Sequence, residues 1–134
     1  MNNNKMHPYT YVGLGGLARI NFFEAGCVPK LIKSYQLKEY LSQNFPMVLE
    51  KTRKINIVKQ RSILIYLIDK NIHCFKDKKS KIANVVFGID HSTFIYSANK
   101  MQDIIDMHQK HLLFSEEISL LNITYIKFME FIYT

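Results

Sequence analysis

Residues 87–101 read FGIDHSTFIYSANKM, and this stretch best defines the fold of the chain. Gly88 predicts a turn, because glycine enters the left-handed backbone region without a steric penalty. Beyond it, apolar side chains recur at steps of four, three, four and three residues, the spacing of one helix face. We therefore predict a helix over residues 90–110 whose apolar stripe faces a core. The stripe consists of Phe94, Ala98, Met101, Ile105 and His108.

Helical patterns also lie on both sides of this stretch. Ser80 is placed to cap a short helix before the turn, and a strongly apolar helix is predicted over residues 56–70. Pro29 suits the first turn of another helix, which should end near Asn44, before Pro46. A last helix over residues 115–132 carries one apolar stripe: Ile118, Leu121, Tyr125, Phe128 and Ile132.

No strand pattern is visible, so the sequence predicts an all-α fold, a small helical domain with a helix-turn-helix. Residues 1–30 are expected to form an irregular N-terminal arm, since they are polar and then rich in glycine. Residues 31–110 are expected to form the helix-turn-helix domain. Residues 111–134 are expected to form an additional C-terminal helix, which either packs on the domain or makes the contact of a homodimer.

Composition excludes several classes of protein. The chain has 134 residues and is 48% hydrophobic, which suffices for a packed core. Its longest apolar run, Ile63–Ile68, is too short to span a membrane, and no secretory signal is visible. Cys27 and Cys74 form no metal-binding pattern. We therefore expect a cytoplasmic protein with reduced thiols, although the sequence leaves one disulfide possible.

The net charge of +7 is concentrated in the middle of the chain. Residues 51–110 contain twelve Lys or Arg against five Asp or Glu, whereas the two flanks together are neutral. A basic segment inside an otherwise neutral protein favours a polyanionic partner. The alternative is compositional, because fifteen lysines against three arginines, with abundant isoleucine, is also what an A/T-rich genome would encode.

The start of the helix after Gly88 has the chemistry of a DNA-reading surface. A helix-turn-helix lays the beginning of its second helix in the major groove, where base edges are exposed. An Asp can accept a hydrogen bond from cytosine, and Ser or Thr hydroxyls can donate or accept. The tetrad that we assign to this role is Asp90, His91, Ser92 and Thr93. The alternative is helix capping, since Asp90 or Ser92 is also an ordinary N-cap.

These residues resemble the signature of the C-terminal DNA-binding domain of the bacterial chromosomal replication initiator DnaA, a fold related to that of Trp repressor. The Asp-His-Ser-Thr core at residues 90–93 matches, and so do Ile82-Ala83 before it and Ser97 and Lys100-Met101 after it. The likeness continues upstream over residues 51–67, where the basic loop Lys51-Thr52-Arg53-Lys54 and the helix after it are similar to the corresponding loop and helix of the family. It covers residues 31–108.

The resemblance implies roles for particular side chains. Asp90, His91, Ser92, Thr93 and Tyr96 would meet bases in the major groove or adjacent phosphates. Arg53 would enter the neighbouring minor groove, where a narrow A/T-rich groove attracts cations. The implied phosphate contacts are Lys54, Lys59, Arg61, Lys79 and Lys81, and for any one of these lysines a solvated surface charge is the alternative.

Three positions depart from the family pattern. Ile89 stands where the family has a basic residue, Phe87 lies in the normally glycine-rich turn, and Tyr96 replaces a frequent histidine. We therefore expect one phosphate contact fewer and an altered or weaker preference for the DNA site.

The sequence contains no phosphate loop, and Gly13-Leu14-Gly15-Gly16 fits no nucleotide-binding pattern. The chain thus resembles the DNA-reading module alone, without the ATPase domain and without a nucleotide ligand. We expect a nucleoid-associated protein that binds an initiator-box-like site on double-stranded DNA, in replication-origin binding or its regulation. The alternatives are a transcriptional regulator of a mobile element or phage, and a protein-interaction module without specific DNA binding.

An enzymatic role has weak support in the sequence. His108 and His111 are three residues apart on a helix, but no third metal ligand is evident, and His108 lies on the apolar stripe. No Ser/His/Asp or Cys/His spacing indicates catalysis. We expect no catalytic activity, no metal, no cofactor and no membrane partner.

Overall fold

The computed structural model describes residues 31–111 and 116–133. Its α-helices are α1 (Ser34–Asn44), α2 (Ile55–Lys70), α3 (Lys79–Ile82), α4 (His91–His111) and α5 (Glu116–Tyr133). A π-helical turn, Ala83–Phe87, extends α3, and short 3-10 helices cover Pro46–Leu49 and Ile72–Cys74. The described residues form no strand, only one isolated bridge between Ile32 and Phe75, which confirms the predicted all-α class. The arm predicted at residues 1–30, with Cys27, lies outside the described residues.

Helix α2 is the centre of the packing. Its apolar run Ile63–Ile68 covers more than one full turn, and all six side chains are buried. A helix that is apolar on every side must be surrounded, and α2 packs against α4, α5 and the 3-10 helix at Pro46–Leu49. No helix in the described ranges has both the length and the apolar content to cross a bilayer.

Helices α4 and α5 contribute one apolar stripe each to the same core. Every stripe residue predicted for the two helices is buried, including the single polar member, His108, which is 3% exposed. Because α4 buries only this stripe, the polar side chains on its other faces remain in solvent. That division decides which side chains of α4 are available to a partner.

Tyr40 joins α1 to α5. Its ring stacks on Phe131 with centroids 4.0 Å apart, and its hydroxyl donates a 2.9 Å hydrogen bond to the carbonyl of Lys127. Burial, with a smaller contribution from the charge of Glu130, raises the pKa of Tyr40 to about 12. Nearby, the thiol of Cys74 is buried and free, 3.5 Å from the hydroxyl of Tyr133.

The predicted start of α1 is wrong. The helix begins at Ser34 and not near Pro29, and the apolar side chains of Leu31 and Tyr35 are 66% and 62% exposed. The reason is a long-range contact: the Ile32 N–H donates to the Cys74 carbonyl, and the Ile32 carbonyl accepts from the Lys76 N–H, both at 2.9 Å. This pairing keeps the backbone before Ser34 out of the helix.

The expected cap of α3 is also wrong. Helix α3 begins at Lys79 with Lys78 as its N-cap, so Ser80 lies within the first turn and caps nothing. The residue that stabilises a helix start in this region is Asp77, whose carboxylate accepts hydrogen bonds from both the backbone N–H and the hydroxyl of Ser34 at the start of α1.

Candidate nucleic-acid interface

The turn between α3 and α4 has the form that the sequence predicts. Gly88 has φ 65°, in the left-handed region, and its N–H donates to the carbonyl of Asn84 at 3.2 Å. The next N–H, that of Ile89, donates to the Ala83 carbonyl at 3.0 Å, which closes the π-helical turn. The first hydrogen bond of α4 runs from the Phe94 N–H to the carbonyl of Asp90, so Asp90 holds the N-cap position.

The tetrad at this helix start is exposed and unengaged. The side chains of Asp90, His91, Ser92 and Thr93 are all exposed to solvent. None of them makes a hydrogen bond or an ion pair with the part of the chain that the structure describes. Asp90 therefore occupies the cap position without using its carboxylate as a cap. Four donor or acceptor groups stand free at the start of a helix, where backbone N–H groups also lack intrahelical partners.

A single face of α4 leads from the tetrad toward α2. Thr93, Tyr96, Ser97 and Lys100 follow each other at helical spacing, and Tyr96 is 65% exposed. Ser97 and Lys100 line a cleft of about 150 Å³ whose opposite wall is the start of α2, including Ile55. Because Ile55 directly follows the basic loop, this face connects the tetrad with the loop. The distance along α4 from Thr93 to Lys100 is about 10 Å, at 1.5 Å per residue.

The basic loop presents its cations to solvent. Arg53 and Lys54 are exposed, and neither side chain is paired within residues 31–111 and 116–133. The loop backbone is ordered by two local bonds, from the Thr52 N–H to the Glu50 carbonyl at 2.9 Å and from the Lys54 N–H to the Thr52 hydroxyl at 3.2 Å. Arg53 thus projects from a loop with a defined backbone.

The other four predicted phosphate contacts differ from Lys54, because their side chains are engaged or partly buried. Arg61 donates to two backbone carbonyls, those of Val48 and Glu50, each at 2.7 Å. Lys79 is paired with Asp69 at 2.5 Å, and Lys81 with Asp77 at 3.3 Å. Lys59 is half-buried and lines the cleft between α2 and α4. Residue type alone did not distinguish these engaged cations from the free ones.

Lys100 is a candidate that the sequence reasoning missed as a ligand-binding residue. It is exposed, shares the face of Thr93 and lines the cleft beside the loop. The signal was present in the sequence, because a residue seven positions after Thr93 lies two helical turns along the same face. In the sequence analysis we used Lys100 only as part of the family signature and did not relate it to the face of Thr93.

Two of the three departures from the family pattern, Phe87 and Ile89, have a structural explanation. The Phe87 ring lies 6.3 Å from that of Phe94, and Ile89 is partly buried against the core. Ile89 and Phe94 hold the positions of a hydrophobic staple on either side of the helix start. Apolar residues at 87 and 89 therefore support the turn, whereas Tyr96 stays exposed.

Away from the tetrad, the described residues form a second groove but no metal site. Across the described ranges, no three His, Cys, Asp or Glu side chains come together as a metal site. A larger groove of about 470 Å³ lies between α2 and α5, lined by Ile57, Leu120 and Ile123 among others, away from the tetrad. Four of its seven lining residues are polar and three are apolar.

Comparisons of the chain with models of known protein families, with curated proteins and with solved structures found no match.

Proposed function

We propose that this chain binds double-stranded DNA at an initiator-box-like sequence. The start of α4 enters the major groove, and the loop that carries Arg53 enters the adjoining minor groove. The observation that supports this proposal is the unengaged polar tetrad, connected by one face of α4 to a loop of exposed cations.

The chemistry of the two parts is complementary. Asp90, Ser92 and Thr93 offer acceptors and donors for base edges, which specify sequence in the major groove. Arg53 and Lys54 offer cations, and a guanidinium suits a narrow A/T-rich minor groove. Lys100 lines the cleft beside Ile55 and shares the face of α4 that carries Thr93, so a phosphate backbone that separates the two grooves would pass near it. We assign Lys100 to that phosphate contact.

The tetrad supports the proposal because its side chains neither cap α4 nor pack in the core. A capping Asp would be bonded to the backbone of its own helix, and a core His or Thr would be buried. Here all four side chains remain exposed, without a described partner. This state is what a recognition surface requires before its ligand arrives.

The biological setting that we propose is replication-origin binding or its regulation, following the resemblance to the initiator family. A transcriptional regulator of a mobile element or phage would use the same surface. A protein-interaction module would not bind DNA, so a direct binding measurement separates it from both.

The first test is fluorescence anisotropy with two labelled duplexes, one carrying the initiator family's A/T-rich box and one a scrambled sequence, at a low and a high salt concentration. We expect binding to the box that is about tenfold tighter or more at the higher salt, because base contacts survive screening better than phosphate contacts. Equal and steeply salt-dependent binding to both duplexes would contradict sequence specificity. No binding at either salt would contradict the proposal as a whole.

A further inference from the structure

Arg61 lies on the second turn of α2, and its guanidinium reaches back to the segment before that helix. The Nε–H donates to the carbonyl of Val48, and an Nη2–H donates to the carbonyl of Glu50, each at 2.7 Å. Only a planar guanidinium offers two donors in this fixed arrangement. The two acceptors lie on either side of Leu49, at the end of the 3-10 helix Pro46–Leu49.

The carbonyl of Glu50 is shared with the loop itself. It also accepts the N–H of Thr52, and the Thr52 hydroxyl in turn accepts the N–H of Lys54. These bonds form a continuous chain from Arg61 through Glu50 and Thr52 to Lys54, and Arg53 lies within it. We call the two hydrogen bonds from Arg61 to the carbonyls of Val48 and Glu50 the fork. Val48, the first of these acceptors, is buried in the core. Arg61 therefore ties the base of the basic loop to a fixed part of the fold.

We propose that Arg61 is a positioning residue: it fixes the basic loop so that Arg53 faces the minor groove, and it is not itself a phosphate contact. This inference rests on the proposed DNA-binding function. Its free-energy contribution to specificity comes from preorganisation, because a loop held in place before binding loses less conformational entropy on the DNA. An Arg at this position is thus not replaceable by another cation.

The variants that test this role are Arg61→Lys, Arg53→Ala and Lys54→Ala, measured on the box and scrambled duplexes. Arg61→Lys keeps the charge but loses the paired hydrogen bonds to Val48 and Glu50, so it should lower the preference for the box about tenfold or more, and Arg53→Ala should have the same effect. Lys54→Ala removes an unpaired loop cation and is the matched control. It should weaken binding to both duplexes alike and reduce the salt slope by about 1.

A second measurement does not depend on DNA. Amide hydrogen exchange of Thr52 and Lys54 in the free protein should be faster in Arg61→Lys than in the wild type, with unchanged exchange in the middle of α2. Adding Arg61→Lys to Arg53→Ala should cause no further loss of preference, since both act through one contact.

The outcomes separate the two proposals. An Arg61→Lys variant with the wild-type preference for the box would overturn the positioning role of Arg61. A wild-type chain that shows no preference for the box over the scrambled duplex would overturn the proposed function. Amide hydrogen exchange of Thr52 and Lys54 would then still show whether Arg61 orders the loop. Amide hydrogen exchange of Thr52 and Lys54 that is the same in Arg61→Lys and in the wild type would show that the two hydrogen bonds from Arg61 do not order the loop.

Discussion

Thr93 and Lys100 lie on the same face of α4 and are both exposed, yet they offer a ligand different chemistry. A hydroxyl with an adjacent methyl distinguishes bases by hydrogen-bond direction and by contact with the thymine methyl. An ammonium group is a point charge that recognises phosphate without regard to sequence. The proposed interface therefore contains both specific and non-specific groups within two helical turns, and substitution should separate them.

We predict that Thr93→Ala weakens binding to the box duplex by about 1–3 kcal/mol and leaves binding to the scrambled duplex almost unchanged. Lys100→Ala should weaken binding to both and reduce the slope of log K against log salt by about 0.9. Anisotropy titrations at several salt concentrations measure both effects. Ser42→Ala on α1 is the control, because it also removes an exposed helical hydroxyl. Equal losses on both duplexes for Thr93→Ala would exclude base reading by this residue.

At the scale of the elements, two connections determine where the candidate interface lies. The left-handed Gly88 sets the start of α4, and the contact between residues 31–34 and 74–77 sets the start of α1. The second connection centres on Asp77, which binds Ser34 through 3.0 Å and 2.6 Å hydrogen bonds and also pairs with Lys81. Asp77 caps α1 from a distant part of the chain and holds it beside α3.

The hydrogen bonds from Ser34 hold the pKa of Asp77 below its usual range. A depressed folded-state pKa means that the stabilisation is present above the unfolded-state value, about 3.9, and is lost as the pH falls below it. We predict that the urea midpoint of the wild type falls more steeply below about pH 4 than that of Asp77→Asn. At neutral pH, Asp77→Asn should be the less stable protein.

Chemical denaturation followed by circular dichroism, repeated from neutral to acidic pH, tests this prediction. Asp103→Asn is the control, since Asp103 is an exposed carboxylate on α4 outside this contact. A wild type and an Asp77→Asn variant with parallel pH profiles would show that the cap of α1 does not depend on the charge.

For the whole molecule, the central position of α2 between α4 and α5 creates the surface that we propose to bind DNA. The apolar stripe that the sequence offered for packing or for a dimer is buried inside the domain. A homodimer through α5 remains a proposal, and it would have to use the other side of this helix, where Ile123 is 67% exposed. The attachment of α5 to α1 depends on Tyr40.

We predict that Tyr40→Phe lowers the free energy of unfolding at neutral pH by about 0.5–1.5 kcal/mol, because it removes the hydrogen bond to Lys127 and keeps the stack on Phe131. The Tyr40 pKa is about 12 in the folded protein against 10.0 for the free side chain. The folded state thus holds its proton more tightly, and this stabilisation is full below pH 10 and is lost as the pH rises from about 10 to 12.

The difference between wild type and Tyr40→Phe should therefore shrink above about pH 10, as measured by urea unfolding at a series of alkaline pH values. Tyr35→Phe, at a 62% exposed position on α1, is the matched control and should behave like the wild type. A constant difference across this range would mean that the Tyr40 hydroxyl does not titrate as the buried environment requires.

The sequence by itself determined the all-α class, the apolar stripes of α4 and α5, and the turn at Gly88. Each of these follows from local chemistry, since side-chain periodicity and the conformational freedom of glycine are properties of neighbouring residues. The sequence also showed which residue types make up the candidate interface, namely Arg53 in the basic loop and the polar tetrad at the start of α4.

Only the tertiary structure decided which of these side chains are free. Arg61, Lys79 and Lys81 looked equivalent to Lys54 in sequence, but carbonyls at residues 48 and 50 and the carboxylates of Asp69 and Asp77 engage them. Pairing of residues 31–33 with 74–76 likewise moved the start of α1 to Ser34. These contacts join residues distant in sequence, so their partners are fixed only when the chain packs around α2, and no local pattern encodes them.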